Sequence, residues 1–269
     1  MLRVKNHTHR KSAFSLVELS VVLVIIGLLI GGVMVGTNLI RAAKVRHVGL
    51  ELEQLISATH SFAEIYGGFP GDLSNATDIW GAKHSNHATC VTTPATDIRT
   101  CNGDGNWRVT STTTHEYYLY WQHLANAGLI EGQYTAVAGP NANNHHIVGV
   151  NSLASRFGNK TGWSIPHLIA FTGNSLFWSR PEDYLHSLMF GAETSNEFTF
   201  GNALSVREAW QLDVKVDDGM PGTGRARVIN WTACTDAASR DDSATANYDL
   251  TNTASAQCGF MFPFVLGMR

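Results

Sequence analysis

Residues 13–36 read Ala13-Phe14-Ser15-Leu16-Val17-Glu18, followed by LSVVLVIIGLLIGGVMVG from Leu19 to Gly36. Phe14 to Gly36 is 23 residues, and about 20 apolar residues span a bilayer as a helix. One acid, Glu18, stands at the mouth of this segment, which contains no Lys or Arg. A carboxylate within a span costs roughly 2.5–3.5 kcal/mol and marks a functional site by default. It needs a cationic partner, and with none in its own span the partner comes from another chain. The segment therefore reads as the assembly element of a multi-subunit structure.

The flanks agree with export. Met1 to Lys11 carries Arg3, Lys5, Arg10 and Lys11 and no acid. A basic head before an apolar core has the form of an export signal. An ordinary signal peptide, cleaved behind its apolar region, is the simplest alternative. No small-x-small site follows Gly36, however, and the apolar run continues into an amphipathic pattern. A plain membrane anchor is the other alternative. Basic residues flank both ends of the span, so the positive-inside rule does not orient it.

The stretch around Ala13-Phe14-Ser15-Leu16-Val17-Glu18 resembles the processing signal of type IV pilins and type II secretion pseudopilins. The resemblance covers roughly Lys11 to Tyr66. In that family a short basic leader is cut just before a Phe, the new N-terminus is methylated, and a Glu lies at the fifth mature position. The resemblance implies cleavage between Ala13 and Phe14, N-methylation of Phe14 and an assembly role for Glu18. The family usually carries Gly before the cut; Ala13 keeps a small residue there. Cleavage would free an α-amino group at Phe14 that is largely positive at neutral pH. In apolar surroundings the Glu18 of an incoming chain and the amine of a neighbour would neutralise one another, and the cost of leaving either unpaired would select one axial register.

Gly27, Gly31, Gly32 and Gly36 interrupt the span. Each lowers helix propensity by about 1 kcal/mol relative to Ala, and small residues let helices approach closely in a bilayer. They are read equally well as ordinary membrane-helix glycines or as a segment able to pack tightly, or lose helical order, in a filament. Family filaments show such local melting, but the kinking proline of many major pilins is missing between Phe14 and Tyr66. Beyond the span, Leu52, Leu55, Ile56, Thr59, Phe62 and Tyr66 recur at helical spacing. Gly67-Gly68-Phe69-Pro70-Gly71 stops the pattern. Phe14 to Tyr66 is 53 residues, about 80 Å if fully helical. Arg41, Lys44, Arg46 and His47, between its two halves, read as a solvated face that can meet lipid head groups or acidic neighbours.

The full chain has 19 Lys+Arg against 22 Asp+Glu; without the four basic leader residues the balance is 15 against 22, or −7. That argues against a general nucleic-acid-binding surface. About 200 residues follow Gly67, enough for one sizeable core. They are rich in Thr, Asn, Ser and Gly with short apolar runs, which predicts strands, long surface loops and a few helices. All four cysteines, Cys90, Cys101, Cys234 and Cys258, lie after the span. An even number with local spacing suits two disulfides in an oxidising compartment, paired 90 with 101 and 234 with 258. A C-terminal disulfide loop is also common in the resembled family. A zinc site using His84, His87 and Cys90 is the rival reading and strands another thiol.

Thr114 to Ala127 reads as a helix with Tyr117, Tyr118, Trp121, Leu124 and Ala125 on one side and Gly128 as its stop. Ser205-Val206-Arg207-Glu208 has capping-box form, predicting a short helix through Trp210 toward Val216. Asp217-Asp218-Gly219-Met220-Pro221-Gly222 is a turn, and Arg225 to Trp231 reads as a strand. Resembling sequences carry similar Phe-Pro-Gly-Asp and Asp-Asp-Gly-x-Pro segments.

Asn102-Gly103-Asp104-Gly105-Asn106 places side-chain oxygens at alternate positions, as a calcium loop begins. Residue 113, where such a loop needs Glu, is Thr. Turn chemistry is thus the first reading of Asn102, Asp104 and Asn106, and a calcium ion the second, as it is for Asp213, Asp217 and Asp218. Some pseudopilins bind calcium in their heads. No Gly-x-Ser-x-Gly, phosphate loop or His-Glu-x-x-His occurs, so no enzyme is expected. The His145-His146 pair lies in a polar, Asn-rich loop and reads as surface. The seven tryptophans read mainly as core, with a sugar-binding platform as the alternative.

The expected architecture is α+β and pilin-like. Residues 1–13 form a leader that is removed. Residues 14–66 form a long helix, transmembrane over 14–36, whose second half packs on an antiparallel sheet. Residues 67–269 form the globular head. The resemblance implies a prepilin peptidase that also methylates, an inner-membrane assembly ATPase with its platform protein, and other pilin-like chains as partners. It implies an inner-membrane precursor that ends in an extracellular pilus or a periplasmic pseudopilus, with cell adhesion by the head as one outcome.

Overall fold

The computed structural model describes residues 15–110, 115–158, 160–167, 177–179 and 186–264. Helix α1 runs Leu16–Tyr66. It belongs to two compact units that divide between Ala43 and Lys44. In the first unit every residue from Ser15 to Val35 is exposed. An 18-residue window there reaches a mean hydropathy of 2.7 with none of it buried. The hydroxyls in this half turn back on the helix, Ser20 Oγ donating to Val17 O and Thr37 Oγ1 to Met34 O. That keeps polar groups satisfied where lipid offers no partner.

In the second unit α1 buries one face, through Val45, Val48, Leu52, Leu55, Ala58 and Phe62. The spacing of three and four is what one helical stripe requires. Around it stand α2 (Ala76–Trp80), α3 (His87–Cys90), α4 (Glu116–Asn126), α5 (Val206–Val216) and α6 (Trp231–Cys234). The sheet comprises β1 (Thr161–Ser164), β2 (His186–Ala192), β3 (Arg227–Ile229) and β4 (Gly259–Phe264). Its order is β1-β2-β4-β3 and every pair is antiparallel. Trp163 faces Phe190, Leu188 faces Phe262 and Val228 faces Phe260 across the ladders. Pro263 is tolerated in this inner strand because β3 pairs only with Gly259 to Met261. The described architecture is α+β and pilin-like, a long apolar helix with a four-stranded antiparallel sheet.

Four residues of α1 contact the rest of the head. Thr59 Oγ1 lies 2.5 Å from the Tyr120 hydroxyl of α4, and Phe62 stacks on the His123 ring. Gly49 lies against α5, where an added methyl would make ordinary van der Waals contact with Leu212 Cδ1 at 3.5 Å. Glu51 is buried and accepts from Ser155 Oγ at 2.6 Å, Arg156 N at 2.8 Å and Trp163 Nε1 of β1 at 2.9 Å.

Two disulfides close the described loops, Cys90–Cys101 with Cα atoms 5.9 Å apart and Cys234–Cys258 at 5.4 Å. Each loop contributes roughly 3–4 kcal/mol in the chain-entropy picture. With its sulfur bound to Cys101, Cys90 has no thiolate to offer zinc.

Some local expectations change. α4 starts at Glu116, after His115 in a left-handed conformation (φ 54°); Thr114 is outside the described residues. α5 has the full capping box at Ser205 and Glu208. The strand expected over Arg225 to Trp231 shortens to β3, because Asn230 (φ 61°) turns the chain into α6. The His145-His146 pair is not surface: both are buried, and the His146 ring packs on Tyr118 and Phe198. Trp121, Trp163 and Trp178 are fully buried, while Trp107 and Trp210 are more than a third exposed.

Candidate functional site

The first turn of α1 holds the one ionisable side chain between Ser12 and Ile40. Ser15 N donates to Glu18 Oε2 at 2.9 Å, and Glu18 N donates to Ser15 Oγ at 3.3 Å. This is a reciprocal capping box, which satisfies two of the four donors that a helix start leaves orphaned. The first helical bond, Leu19 N to Ser15 O, follows at 3.2 Å. Glu18 is thus an exposed carboxylate on an otherwise apolar surface, held against the first turn and beside the positive end of the helix dipole. Chemically it can accept a cationic donor and little else. Ala13 and Phe14, the expected cleavage pair, lie outside the described residues.

The Asn102–Asn106 loop carries the turn chemistry that is its first reading. Asn102 Oδ1 accepts from Thr77 N at the start of α2. Asp104 accepts from Asn106 N and Nδ2, and Asn106 Oδ1 from Arg108 N. The Asp104 and Asn106 bonds are local turn bonds, and the Asn102 bond ties the loop to α2. The carboxylates that do come together are Asp72, Asp104 and Glu116, whose oxygens lie within 4.8 Å of one another. Asp72 accepts from the backbone N–H groups of Gly105, Asn106 and Trp107 and so shapes the loop. Burial pushes Asp72 up to about 7, helped by its side-chain hydrogen bond with Asp104 and by the charge of Glu116. Glu116 in turn receives Asp104 N and Thr110 N. Gly71 before Asp72 is a requirement of this arrangement: it has φ 86°, and a Cβ would lie 2.5 Å from Glu116 O.

A second group, Asp213, Asp217 and Asp218, also gathers within 4.8 Å. Tyr248 donates its hydroxyl to Asp213 Oδ2 at 2.6 Å, and burial pushes Asp213 up to about 7. Asp217 receives Arg225 N and Ala226 N, and Asp218 receives Met220 N and the Thr223 hydroxyl. Both groups are occupied in closing turns.

Buried histidines complete the interior. His123 Nδ1 accepts from Gly71 N at 3.0 Å, so Nε2 carries the proton toward Thr100 Oγ1 at 3.0 Å. Thr100 then donates to Gln122 Oε1. Burial lowers His123 to about 3, His146 to about 4 and His186 to about 3.

Two residues with structural weight escaped the sequence reading. Glu51 stands at a buried register of α1, beside Val48, Leu52 and Leu55; an acid on an apolar stripe was the available signal. Asp72 follows Phe69-Pro70-Gly71, and nothing local says that it is buried.

Residues 8–34 match the family model described as the prokaryotic N-terminal methylation motif. The chain thus carries the type IV pilin and pseudopilin signal. Neither the curated proteins nor the solved structures yielded a match to this chain.

Proposed function

We propose that this chain is a pilin-like filament subunit, of the type IV pilin or pseudopilin type, held in the inner membrane by the first half of α1 and later assembled through it. The observation that carries the reading is the pairing of the methylation motif at residues 8–34 with a helix start that is apolar, exposed and charged only at Glu18. Prepilin peptidase cuts between Ala13 and Phe14 and the new N-terminus is methylated. The Phe14 amine of one subunit and Glu18 of the next then compensate each other in the filament core. Other pilin-like chains, an assembly ATPase and its platform protein are the partners.

The mature chain is large for a main building block, which favours a minor or specialised pilin of a type IV pilus. A pseudopilin of type II secretion is the second reading, favoured by the same motif. If the head holds a cation, Asp104 would hold it together with Asp72 and Glu116, without Asn102 and Asn106.

Mass spectrometry of the chain in sheared filaments tests this. The expected result is a chain beginning at N-methylated Phe14, at trace abundance for a minor subunit and at high abundance for a major one. A chain confined to the membrane and beginning at Met1 would instead make it an anchored head. Glu18→Ala should be processed yet excluded from filaments.

A further inference from the structure

We propose that the end of the head around Lys44 is a membrane-contact surface, whose cations bind the phosphates of anionic phospholipids while the chain is anchored. The inference rests on the membrane reading of the first half of α1 and adds a second contact with the bilayer to it.

The second compact unit begins at Lys44, eight residues past Gly36, where the apolar run ends. Those residues are helical, a rise of about 12 Å. Two segments distant in sequence are brought to the stretch of α1 that follows. Glu51 holds the first by accepting from Ser155 Oγ and Arg156 N. The Lys44 ammonium lies over the same loop, 3.7 Å from where a Cβ on Gly158 would stand. The second is α5, whose Leu212 and Val216 lie against Gly49. Exposed Lys44, Arg46, Arg156, Lys160 and Lys215, from three parts of the sequence, thus stand around one stretch of α1.

This concentration runs against the charge of the head, which has 14 Lys+Arg and 21 Asp+Glu from Lys44 onward. The neighbouring acids do not cancel it. Glu51 is buried, Glu53 faces Arg225 at 3.6 Å, and Glu193 faces Lys160 alone, also at 3.6 Å. Asp213 and Asp217 are each two residues from Lys215, which at 100° per residue sets them across α5 from it. They receive the Tyr248 hydroxyl and the Arg225 and Ala226 amides. Asp218, past the end of α5, receives Met220 N and the Thr223 hydroxyl. At the other end of this half of α1 the charge is reversed. No Lys or Arg occurs from His47 to Ala82, where Glu64, Asp72 and Asp78 lie.

The apolar neighbours select a lipid surface over a soluble polyanion. Leu50 of α1 and Trp210 and Val214 of α5 are exposed on the same two helices. Trp beside Lys and Arg is the composition of a bilayer interface, where apolar side chains enter the headgroup boundary and cations meet phosphates. Each cation near an anionic surface strengthens binding about fivefold, and the attraction fades within a Debye length.

The test places the full-length chain in nanodiscs of phosphatidylcholine, with or without added phosphatidylglycerol, and follows amide exchange by mass spectrometry. In anionic discs at low salt the segments carrying Arg156 and Lys215 should exchange about fivefold more slowly than in neutral discs. High salt should abolish the difference, and the segment from Glu64 to Asp78 should exchange equally in both discs. The triple variant Lys44→Gln, Arg156→Gln, Lys215→Gln changes only exposed side chains and should exchange alike in both. Equal exchange of the parent in the two discs overturns the proposal, as does protection that survives high salt or persists in the triple variant. Slowing by a double-stranded oligonucleotide but not by anionic lipid overturns it as well, and would make the surface a polyanion site. A chain that does not stay with the disc defeats the anchoring reading and this inference together. A chain that stays without lipid dependence defeats this inference alone.

Discussion

The two halves of α1 are one secondary-structure element built for two solvents. From Leu16 to Val35 its side chains are exposed all round and almost wholly apolar. From Val45 to Phe62 it buries one stripe and exposes Arg46, Glu53 and His60 on the other side. The first pattern is stable only where lipid or other helices replace water. The second is the ordinary amphipathic pattern of a protein core. The polar exceptions invert as well: Glu18 is an acid presented on an apolar surface, whereas Glu51 is an acid enclosed by one. Helix propensity favours the second half, since Gly27, Gly31, Gly32 and many β-branched residues lie in the first, yet both are helical, so the difference in surface lies in what each half meets.

The strongest attack on that contrast is Phe62→Ala. Phe62 is fully buried between Tyr66, Trp80 and His123, and its truncation should cost about 3–5 kcal/mol. Urea denaturation of the detergent-solubilised chain, followed by tryptophan fluorescence, measures it. Removing the second disulfide by Cys234→Ser with Cys258→Ser should cost about 3–4 kcal/mol in the same experiment. Glu51→Ala strands three donors, Ser155 Oγ, Arg156 N and Trp163 Nε1. A loss of about 3 kcal/mol follows from the penalty for buried unpaired groups, and a loss below about 0.5 kcal/mol would mean water replaces the carboxylate.

Asp213→Asn sharpens the comparison by pH. Asp213 is raised to about 7 in the folded chain, above its ordinary value in the unfolded one. Its contribution is therefore fully present below about pH 4 and lost as pH rises through about 7. The stability advantage of the parent over Asp213→Asn should shrink between pH 5 and pH 9; a constant difference contradicts the burial argument. The smallest effect belongs to the first half: Leu28→Ala should leave the head's unfolding free energy in urea unchanged within about 0.5 kcal/mol.

Much of this was legible in the residues. The apolar run, the stripe from Leu52 to Phe62 and the Ser205-x-x-Glu208 box each announce a local structure, because each is written within one or two turns of chain. The same four-residue spacing stands at Ser15-Leu16-Val17-Glu18, where the charge of the acid obscures its capping role. What stayed hidden depends on distant segments. His146 reads as polar surface among Asn143 and Asn144, yet Tyr117, Tyr118 and Phe198 surround it. The oxygens of Asn102, Asp104 and Asn106 read first as turn chemistry, but nothing beside them says that Asp72, some thirty residues earlier, collects that loop's amides. Sequence spacing describes neighbours along the chain, while desolvation is set by neighbours across it.

The strand order carries a consequence for timing. β4 is the last described strand, yet it lies between β2 and β3. A chain leaving the ribosome from its N-terminus delivers β3 before β4, its strand partner among the described residues. Half of the sheet therefore waits on the final stretch of polypeptide, and Cys234 waits with it for Cys258. The topology itself therefore ties closure of the sheet to its last described strand.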